Sequence, residues 1–140
     1  MPPALRNVLA VVAGWVAGSV VNLGLVEAGS AVFPLAGVDP DDLATLAAAL
    51  EGAGPEHFLF PWLAHALGTL AGAALAARLA ATRPMALALT VGVIFLLGGV
   101  AVNFMLPGPT WFKALDLLLA YLPMAYLGGL WGRTSTTKSL

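Results

Sequence analysis

The chain has 140 residues, of which 60% are hydrophobic and 9% charged, with a formal net charge of −1. A soluble domain carries about 25% charged residues, so this composition excludes a water-soluble globular protein and points to one integral membrane domain. The absence of Cys excludes disulfides, thiolate metal sites and iron–sulfur clusters, and no basic stripe marks a nucleic-acid surface.

Four apolar stretches follow in chain order, roughly 8–33, 58–80, 85–106 and 111–131. Each holds about 20 or more residues, enough to cross a hydrocarbon core of about 30 Å. The first, preceded by Arg6, has the look of a signal peptide. It is too long for one and lacks a small-x-small cleavage site, so a retained helix is expected. Residues 34–57 form the one extended connection. Within it Asp39 and Pro40 read as an N-cap and first turn, Asp41 and Asp42 suit the positive end of a helix dipole, and Leu43, Leu46 and Leu50 recur at helical spacing. The spacing predicts a short amphipathic helix over Pro40–Glu51, ended by Gly52 and Gly54, that caps the bundle outside the membrane. Thr82-Arg83-Pro84 and Pro107-Gly108-Pro109 make the two tight turns. Trp62, Trp111 and Trp131 lie near span ends, as interfacial anchors do. Pro123 interrupts the fourth span, where it withholds a donor from the carbonyl of Leu119 and kinks the helix. The fold class expected is all-α, a four-helix transmembrane bundle with a short extracytoplasmic amphipathic helix between spans one and two.

Charge sets an orientation. Glu27, Asp39, Asp41, Asp42, Glu51, Glu56 and Asp116 lie in or beside two connections, whereas Arg6, Arg78, Arg83, Arg133 and Lys138 lie in the others and at the termini. Lys113 is the exception. Cytoplasmic loops hold Lys and Arg preferentially, so both termini are expected in the cytoplasm and the chain in the cell (inner) membrane as a multi-pass protein. Lines of small residues predict how the helices pack, because lipid is as apolar as Leu and close approach has to hold them together. These are Gly14, Gly18 and Asn22; Ala64, Gly68, Gly72 and Ala76; and Gly128 with Gly132.

Three ionisable side chains fall inside the spans. Counting about 1.5 Å per residue from the outer ends, Glu27, His65 and Asp116 lie roughly 9–11 Å deep. Asn103 is shallower, and Asn22 and Tyr121 are near the midplane. Charged groups in a bilayer face the bundle interior and pair, so common depth predicts one shared polar site built from Glu27, His65, Asp116, Asn22, Asn103 and Tyr121. A histidine between carboxylates suits proton or ion movement. The same His65, Glu27 and Asp116 also have the composition of a metal site, with His57 and Glu56 above them at the mouth. No His-x-x-x-His or Glu-x-x-His pairing accompanies them. The structural alternative is a hydrogen-bonded cluster that sets helix register. Locally, Lys113 stands three residues before Asp116 and is positioned to pair with it, and Thr69 is expected to bond back to its own helix.

The stretch from His57 to Gly72 together with that from Ala114 to Ala125 resembles a family of small four-span bacterial membrane proteins to which no activity is attached. In length and span count the chain is also similar to small multidrug exporters, fluoride channels and DoxX-like proteins. It lacks the exporters' central glutamate in span one and a fluoride-channel polar track. The function expected is ion or proton handling, or small-solute transport, through an outward-facing polar site. The alternative is an accessory subunit of a larger membrane complex, with the cluster structural and the Gly lines facing a partner. An intramembrane metalloenzyme is the third reading, although no zinc-protease motif or nucleophile–base pair is present. No cofactor is specified. The partners expected are the lipid bilayer and either a second copy or a larger membrane complex.

Overall fold

The computed structural model describes residues 1–39 and 41–137. Pro40 and Lys138 lie outside the described residues, and with them their expected parts in the loop helix and the basic terminal end. Four helical segments are long and apolar enough to cross a membrane: Pro3–Val32, Pro55–Leu79, Pro84–Met105 and Thr110–Arg133. The chain is a multi-pass membrane protein.

Helix α1 runs from Pro3 to Val32 with proline in its first turn, where the missing N–H costs nothing. At 1.5 Å per residue its 30 residues span about 45 Å, so it tilts or projects beyond the hydrocarbon core. Helix α2 covers Leu43–Glu51. It starts three residues later than expected, because Asp42 rather than Asp39 is its N-cap and accepts from the amide of Ala44 at 2.9 Å. Asp39 instead closes the preceding turn, accepting from the amide of Asp41 at 3.0 Å. A single tight turn at Pro55–Phe58 leads into α3, Leu59–Leu79. Helix α4 spans Pro84–Met105, and the fourth span is two helices, α5 (Thr110–Leu119) and α6 (Leu122–Thr137).

That division is the physical outcome of Pro123. A proline inside a helix removes a hydrogen bond and clashes one turn back. The chain avoids both by breaking at Ala120 and Tyr121, which puts Pro123 in the first turn of α6, where proline is tolerated. The kink expected from sequence is a full interruption.

Helix α3 is the centre of the bundle, packed on α1, α4 and α6. Its small residues allow this. A Cβ on Gly18 would lie 2.5 Å from the carbonyl oxygen of Gly68, and one on Gly72 would lie 2.5 Å from that of Gly14. Backbone therefore touches backbone along the α1–α3 seam. On the other side of α3, Gly128 and Gly132 of α6 face the carbonyls of Leu70 and Ala74. These lines of small residues are thus filled within one chain.

At the end of the bundle that holds both termini, Asn7 clamps the α3–α4 turn. Its side-chain oxygen accepts from the amides of Ala81 at 2.9 Å and Thr82 at 3.2 Å, and its amide donates to the Thr82 hydroxyl at 2.8 Å. Arg6 donates to the carbonyl of Leu79 at 2.8 Å, one of the last carbonyls of α3 with no helical partner. Arg83 closes the turn in the left-handed region, at φ 49°. Trp62 is half-buried. It turns inward on Ala66, Ala120 and Tyr121, and its indole N–H reaches the carbonyl of Leu115 at 3.4 Å. Trp111 and Trp131 are exposed, as expected of residues at span ends.

Candidate functional site

Asp116 is the most enclosed charged residue described, with no exposed surface. Helix α5 carries it on the face turned toward α3 and α4. Its carboxylate accepts from three side chains. The Nδ1–H of His65 on α3 donates to Oδ1 at 2.6 Å, the amide of Asn103 on α4 donates to Oδ2 at 3.0 Å, and the hydroxyl of Tyr121 donates to Oδ2 at 3.0 Å. A carboxylate has no proton to give, so the imidazole proton is assigned to Nδ1. The Tyr121 oxygen also lies 2.9 Å from that nitrogen, near enough to share its N–H.

Each partner is held by its own local device. Asn103 donates as well to the carbonyl of Gly99 one turn back, at 2.9 Å, so both its N–H groups are engaged. Tyr121 sits at the break between α5 and α6 with 1% of its surface exposed, and it fills the space that a Cβ on Gly99 would occupy. Lys113 donates to the carbonyl of Asn103 at 2.7 Å. That carbonyl belongs to the last turn of α4, which favours a cation. The local Lys113–Asp116 pair expected from their spacing does not form, because the lysine reaches across to the end of α4. Thr69 also departs from expectation. It is fully buried, and its hydroxyl has no hydrogen-bond partner, its own helix included.

Above the cluster lies a cavity of about 740 Å³ between the halves of α1, α3, α4 and α5 farther from the α3–α4 turn. Helices α1 and α4 touch at mid-depth, where Gly18 meets Phe95. Beyond that contact both α1 (Asn22, Glu27) and α4 (Val102, Asn103) line the cavity wall. Helix α2 contributes Leu46 and Leu50 to the lining while burying no residue of its own, so it covers the mouth loosely. The wall is mainly apolar with a few polar groups, the composition usual for small-molecule sites.

Comparison of the chain with protein-family models, characterised proteins and solved structures finds no match. The site therefore has to be read from its own geometry.

Of the six residues expected to form one site, the structure joins His65, Asp116, Asn103 and Tyr121 by direct hydrogen bonds. Glu27 and Asn22 line the cavity but bond to none of these four. Tyr121 and Asp116 lie beneath the cavity wall rather than in it, and the cavity does not extend to Pro123. The carbonyl freed by that proline thus does not line this cavity. The metal reading also changes. Among the described residues no three His, Asp or Glu side chains gather to hold an ion. Glu27 stands apart, and both oxygens of Asp116 are already engaged by donors.

Two features were missed from sequence. Spacing alone pairs Lys113 with Asp116, whereas its place one turn into α5, after the tight Pro107-Gly108-Pro109 turn, puts it opposite the last turn of α4. Gly99 carries no signal in the sequence beyond its small size. Its Tyr121 slot depends on two distant segments meeting, and nothing local announces it.

His65 connects the cluster to the cavity. Its Nδ1 is committed to Asp116, while Nε2 has no bond to the protein and is not sealed from solvent-sized space. The ring lines the cavity with its side chain 15% exposed. A carboxylate behind an imidazole fixes the tautomer and ring orientation.

Proposed function

We propose that the protein binds a small polar ligand in this cavity and moves it, or protons, by means of the His65–Asp116 pair. The observation that carries the reading is the ring held at 2.6 Å to a fully buried carboxylate, with its other nitrogen open to the cavity. A proton taken up on Nε2 would make a charged imidazolium against Asp116, an ion pair tolerated away from water. It would also turn an acceptor at the cavity floor into a donor, changing what the cavity can hold.

Beneath the cavity the bundle is closed by Tyr121, Phe95 and the α1–α3 glycine seam. A permanently open channel is therefore disfavoured, and alternating or proton-gated access is favoured. The accessory-subunit alternative drew on small-residue lines free to meet a partner, and those lines are occupied by the protein's own helices.

In proteoliposomes loaded with a pH-sensitive dye, the wild-type protein is expected to carry protons under an imposed gradient. His65→Ala should abolish that flux while still yielding folded protein in detergent. Equal flux through both would remove His65 from the mechanism.

The proposed placement is the cell membrane, of the bacterial inner-membrane type, with both termini cytoplasmic. Arg6, Arg78, Arg83 and Arg133 gather at the terminal end, and the acidic residues of the 34–57 connection lie at the other. A reporter enzyme active only outside the cytoplasm should stay silent when fused after Leu140 and become active when inserted after Gly37. The opposite pattern would invert the assignment.

A further inference from the structure

Two opposite charges face the cavity without meeting. Glu27 lines it from α1, and Lys113 lines it from α5. Neither takes part in an ion pair among the described residues, so no anion lies within 4.0 Å of the lysine nitrogen. The other titratable groups on the wall are Glu56 and His57, 3.5 Å apart, and His65, held by Asp116. Charges at membrane depth normally pair, and Glu27 and Lys113 are left to do so through something between them.

The wall also has an apolar side. Val26 and Val102 line the cavity from α1 and α4, yet they are 37% and 40% exposed. Both therefore keep exposed surface beside the cavity and form an apolar rim on its α1 and α4 sides.

We propose that the cavity receives an ammonium–phosphate zwitterion, the headgroup of a phospholipid such as phosphatidylethanolamine. Its ammonium sits at Glu27. Its phosphate accepts from the remaining N–H groups of Lys113, and its acyl chains leave past Val26 and Val102. The exposed apolar rim favours a lipid over a free zwitterion, because a soluble ligand needs no apolar exit. This assignment rests on the cavity being a binding site, as proposed above, but not on proton movement.

The test uses the full chain in detergent, stripped of lipid. Phosphatidylethanolamine, phosphatidylglycerol (a phosphate without an ammonium) and soluble glycerophosphoethanolamine are titrated by calorimetry into wild type, Glu27→Gln and Lys113→Arg. Glu27 is exposed and unpaired, so its substitution leaves the fold intact, and size-exclusion profiles verify this for each variant. Phosphatidylethanolamine should bind more tightly than phosphatidylglycerol, and Glu27→Gln should weaken it by roughly tenfold or more, the scale of a lost charge-assisted hydrogen bond. Phosphatidylglycerol should be indifferent to that change. If glycerophosphoethanolamine binds as tightly as the lipid, the headgroup chemistry stands and the lipid source is overturned. If both lipids bind alike and Glu27→Gln alters neither, or if none of the three binds, the assignment fails. A His65-dependent proton flux measured on the same preparations would then leave the proton reading standing alone.

Discussion

Asp116→Ala is expected to destabilise the bundle by about 3 kcal/mol or more, the cost of stranding several buried donors at once. The alanine would leave three donors facing an apolar void: the Nδ1–H of His65, one N–H of Asn103 and the hydroxyl of Tyr121. Each orphaned buried group costs about 1–3 kcal/mol. In bilayers, single interhelical hydrogen bonds average nearer ~0.6 kcal/mol, because the unfolded helices find other partners. Three donors converging on one carboxylate have no such replacement at once. Asp116→Asn keeps the shape and one acceptor oxygen, so it should cost less than half as much while still disrupting the His65 tautomer. Unfolding in mixed micelles by a denaturing detergent measures both. Near-equal stability of Asp116→Ala and wild type would mean that the cluster does not hold the bundle together.

Gly72→Leu should be as damaging for a different reason. Overpacking a dense core costs about 1–3 kcal/mol when side chains give way. At Gly72 the first atom added would meet the backbone carbonyl of Gly14 at 2.5 Å, so a whole helix has to move. The α1–α3 seam is the most extensive interface in the molecule. A loss at or beyond the upper end of that range is therefore expected, with α1 released from the bundle. Gly24→Leu is the control, since nothing lies within 4 Å of a Cβ there. Thermal unfolding of the pair in detergent should separate them widely. Matching curves would show that the seam is not the source of stability.

The smaller spacing effects were readable from sequence. The line Gly14, Gly18, Asn22 and its counterpart Gly68, Gly72, Ala76 announced a contact, because only small residues let backbones touch in lipid. Which line met which was not readable, since any two such lines are sterically compatible. The same limit applies to Gly98 and Gly99. They are adjacent and chemically identical, yet one faces open space and the other receives Tyr121.

Hydropathy and charge placement by themselves determined four membrane-length helices, their approximate ends and the separation of acidic from basic connections. These properties follow from each segment's own transfer free energy and require no knowledge of its neighbours. Depth along a helix was equally legible, and it placed Glu27, His65 and Asp116 at one level. Azimuth was not. Tertiary packing decided that His65, Asp116, Asn103 and Tyr121 bond directly, while Glu27 faces across a cavity from Lys113. A side chain's direction about the bundle axis depends on how each helix rotates against α3. That rotation is set by contacts such as Gly72 with Gly14 and Gly99 with Tyr121, which lie far apart in the chain.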